Sequence, residues 1–344
     1  MSLVFENIHH SYNGQPALTE VNLTAAAGEI VCLLGQSGCG KTTLLNLAAG
    51  ILPLQSGKIR LNDKLLASPL NQPPPEKRPV GLVFQEGALF PHLTVAQNIA
   101  FGVRGASNTR LIVTTLLDQI GLSDYGQRYP HTLSGGQRQR VAVARALAPK
   151  PEVLLMDEPF ANIDIMLRRH LREETRRMLK ARDCVTILVT HDPEEAIEIS
   201  DKIAIMDQGR IIQYGTAEEL YNSPVSLTSA LLTGDGAILK ASRNQEELKT
   251  PFGKWPIDCL KLNDFRDDTV FADVVIRPYA VSLTAAGRDS VVSDLRSTGH
   301  SQLVTLRASC GQSITVEIDA QSMWSVGQSV SLVPKKQSLF AFAT

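Results

Sequence analysis

The sequence predicts an α/β fold followed by a small all-β domain, and two observations support this. Before about residue 240, short aliphatic runs alternate with helical patterns, and runs that are apolar on both faces suit parallel strands covered by helices. After it, glycines and polar turns separate short strands, which indicates a barrel or sandwich. The aliphatic runs are Ile30–Leu34, Val80–Phe84, Val153–Asp157, Thr186–Thr190 and Lys202–Met206. The later strands are expected at Val270–Ile276, Gln302–Arg307, Ser313–Ile318 and Ser329–Val333.

Length and composition exclude several classes of protein. The 344 residues include 34 basic and 35 acidic side chains, for a net charge of -1, and 43% are hydrophobic. This length predicts about two domains, and the near-neutral charge argues against a nucleic-acid partner. We expect no membrane span, because no apolar run approaches roughly 18 residues, and no secretory signal. Scattered cysteines without a C-x-x-C pair are expected to be reduced thiols in a cytoplasmic protein.

The elements follow in order along the chain. Leu3–Gly28 alternates polar and apolar residues around an Asn13-Gly14 turn, which predicts an antiparallel ribbon. A helical insertion is expected over about residues 87–150, with helices at Thr109–Ile120 and Ser134–Ala148. Gly234-Asp235-Gly236 is typical of a linker. We therefore predict an α/β domain over residues 1–235 and a β-rich domain over residues 236–344.

A phosphate-binding loop is predicted between the first aliphatic run and a helix over residues 43–49. The segment Gly35–Thr42 fits G-x-x-x-x-G-K-[ST], in which backbone N–H groups and a helix N-terminus face a phosphate. Lys41 is expected to reach the β- and γ-phosphates, and the Thr42 hydroxyl to ligate Mg²⁺. The alternative is a glycine-rich turn with a coincidental Lys-Thr. The expected nucleotide-binding residues are Gly35, Gln36, Ser37, Gly38, Cys39, Gly40, Lys41, Thr42 and Thr43.

Two carboxylates close the run that begins at Val153. On a parallel sheet, Asp157 would belong to the Mg²⁺ shell, and Glu158 would orient or deprotonate an attacking water. Alone, such a pair is more often a solvated loop. A phosphate loop on the same sheet favours the catalytic interpretation.

A second phosphate-binding helix start is predicted at Leu133-Ser134-Gly135-Gly136-Gln137. Ser134 is a good N-cap, and two glycines let a phosphate approach bare N–H groups. One nucleotide cannot easily use both helix starts of the same chain, so a head-to-tail pair of chains is the economical solution. A plain N-capped helix is the alternative.

These motifs, in this order over about residues 3–225, resemble the ATP-binding subunits of ABC transporters. The resemblance implies a P-loop NTPase (RecA-like) core with an antiparallel β subdomain and a helical insertion. It implies ATP hydrolysis with ATP and Mg²⁺, a homodimer, and integral-membrane permease subunits at the cytoplasmic face of the inner membrane. Lys41, Gln85, Glu158 and His191 would form the catalytic set.

Four single residues match the family's motifs. The resemblance implies that Gln85 senses Mg²⁺ and contacts the membrane subunit, and that His191 contacts the γ-phosphate. It implies that Tyr12 stacks on adenine and that Asp164 is the Asp of the loop after the Mg²⁺ strand. A lone Tyr, His or surface Asp is more often structural. Ala161 replaces the serine that the family often has, so the resemblance does not imply a side-chain contact across the dimer at this position.

The C-terminal domain narrows the resemblance to bacterial importers. An OB/TOBE-like β domain after a single ATPase domain resembles the maltose, sulfate, polyamine and ferric-iron ATPases, which work indirectly with a periplasmic binding protein. Ile276–Tyr279 resembles their V-R-P-E turn, with Tyr279 in place of Glu. Gln85–Val103 most resembles the ferric-iron ATPases, through its QEGALF start.

Several alternatives stay open at this point. The chain could serve another solute, such as sulfate, a polyamine or a sugar, or be a non-transport ABC ATPase. The last hundred residues could be a regulatory module. An apolar group could pack inside the helical insertion or form a groove for a permease helix: Leu89, Phe90, Leu93, Val95, Ile99 and Phe101.

Overall fold

The computed structural model describes residues 1–85, 87–103, 105–161, 163, 165–243, 247–261, 271–278, 280–285, 287–320 and 324–343. They form two compact units, Met1–Ala217 and Glu218–Thr344. The predicted boundary lies later, between residues 235 and 236. The difference has a physical reason: residues 227–232, which precede the linker, pack against strands of the second unit.

The first unit contains an antiparallel sheet and a mainly parallel sheet. The antiparallel sheet has the strand order β2-β1-β4-β5, and the second sheet has the order β10-β9-β3-β8-β7-β6, with only β10 antiparallel to its neighbour. The strands are β1 (Ser2–Tyr12), β2 (Gln15–Ala26), β3 (Ile30–Leu34), β4 (Ser56–Leu61), β5 (Lys64–Ala67), β6 (Val80–Val83), β7 (Val153–Asp157), β8 (Val185–Thr190), β9 (Lys202–Asp207) and β10 (Arg210–Gly215).

The five predicted parallel strands and the Asn13-Gly14 ribbon are therefore confirmed. The central strands β3 and β8 are buried along their whole length, as apolar runs covered on both faces require. Register brings their carboxyl ends to one edge, with Leu34 beside Thr190 and Asp157 beside Val189. Ligand sites of open parallel sheets lie at this edge.

Helices cover the sheet and form the insertion. The helices of the chain are α1 (Lys41–Ala49), α2 (Val95–Ala100), α3 (Thr109–Gln119), α4 (Gly135–Leu147), α5 (Ile165–Lys180), α6 (Pro193–Ile199), α7 (Ala217–Asn222) and α8 (Leu227–Leu232). The predicted helices of the insertion correspond to α3 and α4, which share an apolar cluster with α2. No helix in the described ranges is long and apolar enough to cross a bilayer.

The second unit is built mainly of strands in two sheets, with orders β13-β12-β11-β15-β21-β14 and β16-β20-β17-β18-β19. Its strands are β11 (Ala237–Arg243), β12 (Glu247–Thr250), β13 (Gly253–Pro256), β14 (Leu260–Lys261), β15 (Phe271–Ile276), β16 (Val281–Thr284), β17 (Ser290–Ser297), β18 (Ser301–Ala308), β19 (Ser313–Asp319), β20 (Ser329–Pro334) and β21 (Leu339–Ala343). The predicted all-β architecture is confirmed. One apolar cluster joins both sheets.

Helix α8 explains why this unit begins before the linker. Ala230 of α8 is buried against Val275 of β15 and Phe340 of β21. Arg277, which follows β15, is 4% exposed and donates to the Thr233 hydroxyl at 3.1 Å and to the Gly234 carbonyl. The residues before the linker are thus bound to the β sheet by both apolar burial and hydrogen bonds.

The helix that follows the phosphate loop is anchored at its far end by Arg78. This guanidinium is 6% exposed and donates to the carbonyls of Leu47 and Ala48 at 2.8 and 2.9 Å. Its Nε donates to the Pro73 carbonyl at 2.9 Å. Carbonyls in the last turn of a helix lack their usual partners four residues on, so Arg78 adds a charged donor to Leu47, which also accepts the Gly50 N–H at 3.3 Å, and to Ala48. A cation at this end of a helix is also favoured by the helix dipole.

Arg78→Ala should therefore lower the free energy of unfolding by about 2–4 kcal/mol, because buried carbonyls lose a charged donor. Arg60→Ala is the matched control. Its ion pair with Glu6 joins half-exposed side chains, and its loss should cost less than about 1 kcal/mol. Urea denaturation measures both values. Equal destabilisation by the two substitutions would contradict the anchoring role.

Candidate active site

The phosphate loop connects β3 to α1 in a shape that only glycine allows at one position. Gly40 is the N-cap of α1 with φ 103°, in the left-handed region that L side chains rarely adopt. A Cβ on Gly40 would lie 2.6 Å from the Ala17 carbonyl oxygen. The turn therefore directs the first N–H groups of α1 to the carboxyl edge of the sheet. That is the predicted setting for phosphate binding.

Lys41 is held inside this loop. Its side chain is 5% exposed, and Nζ donates to the carbonyls of Gly35 and Gln36 at 2.7 and 2.9 Å. Nζ also lies 3.6 Å from Cys39 Sγ. Cys39 is 6% exposed and belongs to the apolar core of the first unit, so its side chain packs beneath the loop. The loop thus surrounds one ammonium group, which no carboxylate neutralises by direct contact in the described ranges.

Oxygen ligands converge beside the loop. The Thr42 hydroxyl donates to Asp157 Oδ1 at 3.2 Å, joining the first turn of α1 to the end of β7. Burial raises the pKa of Asp157, and the Thr42 hydrogen bond opposes that shift. Among the described residues, no three His, Cys, Asp or Glu side chains form a metal-binding group. A hydroxyl with one carboxylate suits a hard cation such as Mg²⁺, which takes its other ligands from water and phosphate oxygens.

Glu158 stands between two predicted catalytic side chains. Its Oε1 lies 3.0 Å from His191 Nδ1, and its Oε2 accepts from Gln85 Nε2 at 3.2 Å. Because an ionised carboxylate only accepts, Nδ1 is the protonated nitrogen of His191 in this contact. This contact uses the amide nitrogen of Gln85, so the amide oxygen is not the group that faces Glu158 Oε2. Three chain segments therefore meet on one carboxylate.

The backbone of Glu158 is strained. Its φ of 42° lies in the left-handed region, which costs a non-glycine residue about 1–3 kcal/mol. Its N–H donates to the Val189 carbonyl at 3.0 Å, so the parallel neighbour β8 holds it in this conformation. The strain turns the side chain out of the strand direction, and 21% of that side chain remains exposed to solvent.

Tyr12 lies beside the same helix. Its hydroxyl is 3.4 Å from the Thr43 hydroxyl in α1, and its ring packs edge-on against His10 with centroids 4.8 Å apart. Tyr12 is 46% exposed, so part of its ring is open to solvent next to the phosphate loop. An exposed aromatic face is what stacking on a purine requires.

The second predicted helix start is formed as a capping box. Ser134 Oγ accepts from Gln137 N at 3.3 Å, and Gln137 Oε1 accepts from Ser134 N at 2.9 Å. Gly135 and Gly136 occupy the first turn of α4. In the described chain these caps bond to each other and not to the phosphate loop. Of the other predicted residues, Asp164 and Tyr279 lie outside the described residues.

Comparison with known proteins gives one consistent family. The "ABC transporter" family matches residues 18–161. The Fe(3+) ions import ATP-binding protein FbpC of Pseudomonas fluorescens is 43% identical over 74% of this chain and 73% of its own length. The spermidine/putrescine import ATP-binding protein PotA of Mesoplasma florum is 40% identical over 82% of this chain and 80% of its own. A dimeric, post-hydrolysis structure of the ATP-binding cassette MJ0796 with ADP and Pi matches with TM-score 0.54 and 27% identity, over 62% of this chain and 98% of that one.

The chain belongs to the ABC transporter ATP-binding proteins. The resemblance drawn from the motifs is thereby confirmed, together with the P-loop NTPase fold, ATP binding and the assignment as an ATPase. The roles of the single residues stay predictions. The geometry brings Gln85, Glu158 and His191 into one contact and joins Thr42 to Asp157.

This ABC ATPase also contains a buried polar network that the sequence analysis missed. Directly after β8, Asp192 caps α6, and its Oδ1 accepts from the N–H groups of Glu194 and Glu195. Arg172 of α5 donates to Asp192 Oδ2 at 2.6 Å and to Glu198 Oε2 at 3.1 Å. The sequence Asp192-Pro193-Glu194-Glu195 has an N-cap signature that would have predicted α6. It does not predict which acid is buried.

The buried acid is Glu195, which is 3% exposed. Burial raises the pKa of its carboxyl group to about 7, and the nearby charge of Asp192 adds to the rise. The Thr190 hydrogen bond and the charges of Arg172 and Arg168 act in the opposite direction and lower it. Cys32 of β3 faces the same space, and burial, reinforced by Glu195, raises the pKa of that thiol. Glu195 therefore changes charge near neutrality.

A pH dependence of stability follows. The carboxyl pKa of Glu195 is 4.5 in an unperturbed chain and about 7 in the folded one. Its stabilising contribution is complete below about pH 4.5 and is lost as the pH rises through about 7, by an amount of the order of 3 kcal/mol. Glu195→Gln should remove this part of the pH dependence. The measurement is the unfolding midpoint in urea at about pH 5 and about pH 8.

Glu194→Gln provides the control for this prediction, because Glu194 is exposed on the same helix. It should keep the wild-type pH dependence. Parallel stability curves for wild type and Glu195→Gln would contradict the shifted ionisation.

Proposed function

We propose that this chain is the ATP-hydrolysing subunit of an ABC importer, that it acts as a homodimer on a membrane permease, and that its cargo is ferric iron. The observation that carries the hydrolytic part is the Glu158 carboxylate between His191 and Gln85, next to the Thr42–Asp157 pair. The likeness to FbpC at 43% identity supports the cargo.

Glu158 acts as the group that orients and deprotonates the attacking water. Its two oxygens already receive His191 Nδ1–H and the Gln85 amide, which fixes the direction of the carboxylate. Each oxygen keeps lone-pair capacity for a water donor. A general base must lie within hydrogen-bond reach of the proton it takes, and this preorganisation supplies that geometry.

Lys41 and the N–H groups of the phosphate loop stabilise the charge that develops on the transferred phosphoryl group. Two loop carbonyls hold the ammonium group of Lys41, so the charge is positioned before substrate binds. Thr42, Asp157 and the amide oxygen of Gln85 are the proposed Mg²⁺ ligands. When bound, the ion neutralises phosphate charge. Tyr12 stacks on the adenine.

The second half of each site comes from a second copy of the chain. In one chain the capping box of Ser134 and Gln137 is complete at the start of α4, and the Ser134 side chain there is exposed. Two chains in head-to-tail arrangement bring this turn to the partner's nucleotide, with Gly135, Gly136 and Asp164 contributing. The dimeric state of the MJ0796 cassette supports this arrangement.

The permease contact is proposed at the loop after Gln85. The apolar group predicted there divides in the structure: Val95 and Ile99 are fully buried, whereas Phe101 is 45% exposed and packs on Phe90 with ring centroids 4.3 Å apart. The Phe90–Phe101 pair offers an apolar surface for a permease helix. The chain then acts as a peripheral subunit at the cytoplasmic face of the inner membrane. A periplasmic binding protein is served only through the permease.

Polyamine import is the second candidate, because PotA of Mesoplasma florum is 40% identical over a larger part of this chain. The Gln85–Val103 segment favours iron. The cargo does not touch the ATPase, so this choice depends on likeness alone and requires a transport measurement.

Glu158→Gln should lower kcat for ATP hydrolysis at least about 100-fold while ATP affinity stays within about twofold, since the amide keeps the shape but is no base. Lys41→Ala should weaken ATP binding itself. Exposed residues provide controls: Glu76→Gln and Lys77→Ala should leave both quantities unchanged. Steady-state hydrolysis and equilibrium nucleotide titration measure them. Near-normal turnover of Glu158→Gln would exclude Glu158 as the base.

Uptake of labelled ferric iron, spermidine, sulfate and maltose tests the cargo in cells that lack the chain. Wild type should restore ferric-iron uptake and Glu158→Gln should not. Restoration of spermidine uptake instead would retain the importer and replace its cargo.

A further inference from the structure

The predicted catalytic histidine lies between two residues that share one hydroxyl group. Thr190, the last residue of β8, donates its hydroxyl to Glu195 Oε2 at 2.9 Å. The Thr190 hydroxyl oxygen in turn accepts the N–H of Asp192 at 3.0 Å. These contacts come from the residues immediately before and after His191. The hydroxyl therefore closes a small ring around the histidine backbone.

The partners of this ring are fixed by burial. Thr190 is 1% exposed and Glu195 is 3% exposed, whereas the side chain of His191 is 55% exposed. Arg172 anchors Asp192 from α5, and Arg168 lies 3.6 Å from the same carboxylate oxygen. An exposed imidazole has no packing to define its direction. The backbone that carries it must supply that direction.

We propose that Thr190 and Glu195 are positioning residues, which aim the His191 imidazole at Glu158 through the shared hydroxyl; this rests on the proposed ATPase mechanism. The hydroxyl bond holds the chain on either side of His191 at the end of β8. Without it, the Asp192 N–H and the Glu195 carboxylate lose a buried partner, and the segment that carries His191 relaxes. A displacement of about 1 Å at a catalytic group is sufficient to lower turnover severely.

The burial of a carboxylate behind a catalytic loop supports this role. Glu195 Oε1 is buried and has no hydrogen-bond partner among the described side chains, which costs free energy. If this position served packing alone, a buried apolar residue would fill it at a lower cost in folding free energy. In either protonation state the carboxyl group keeps an acceptor oxygen for the Thr190 hydroxyl, which an apolar residue lacks.

Thr190→Val tests the proposal, because valine keeps the shape and removes the hydroxyl. We expect kcat to fall about tenfold or more with the Kd for ATP within about twofold. Thr190→Ser keeps the hydroxyl and should retain activity within about threefold. Thr186→Val is the matched control. Thr186 is a buried threonine on the same strand, with its hydroxyl near Cys184 Sγ and away from α6. It should leave kcat unchanged.

A second readout separates positioning from general damage. In chain labelled with ¹³C at the histidine rings, the His191 resonance is assigned from the spectrum of His191→Ala. Thr190→Val should shift that resonance, and Thr186→Val should not. Loss of kcat with an unmoved His191 resonance, or a moved resonance with normal kcat, would overturn the inference. A wild-type chain without ATPase activity would instead overturn the proposed function and this inference with it.

Discussion

The parallel pairing of β7 with β8 is the constraint on which the site depends. Because Asp157 lies beside Val189, the residue after β7 and the residue after β8 emerge at the same edge of the sheet. Glu158 and His191 occupy those two positions and meet at 3.0 Å. The neighbouring strand β6 ends one strand further along and delivers Gln85 to the other carboxylate oxygen. The order of β8, β7 and β6 in the sheet therefore brings these three side chains together.

Two features that cost folding free energy lie at this edge of the sheet. Glu158 has a φ of 42°, and Glu195 is a buried acid whose pKa rises to about 7. Each costs the folded chain on the order of 1–3 kcal/mol. Such costs cluster where side chains must point in a direction that regular structure does not favour. The fully buried strands β3 and β8 provide the rigid support that holds both residues in place.

Much of the fold and half of the site follow from sequence for physical reasons. Phosphate binding requires a fixed spacing of glycine, lysine and threonine, so the sequence alone predicts the loop at Gly35–Thr42. Strands covered on both faces must be apolar, so continuous aliphatic runs in the sequence predict β3, β7 and β8. The Gln85–Glu158 contact depends on strand order across the sheet, which no local pattern contains. The sequence indicates a last helical stretch after Ser223-Pro224, which corresponds to α8, but the packing of α8 against β15 and β21 involves residues that are distant in sequence.

The Thr190–Glu195 hydrogen bond is also invisible to a motif search, because it depends on packing and not on a local pattern. Its members are an ordinary threonine and one of two adjacent glutamates, and only the packing of α6 against β3 and α5 selects the buried one. A comparable link joins the other side of the site: Arg145 of α4 donates to the carbonyls of Gly87 and Ala88 at 3.1 and 2.7 Å. The loop that follows Gln85 is thereby tied to the helix that begins after Ser134. The segments next to Gln85 and His191 thus both contact side chains that only the packing of the helices brings there.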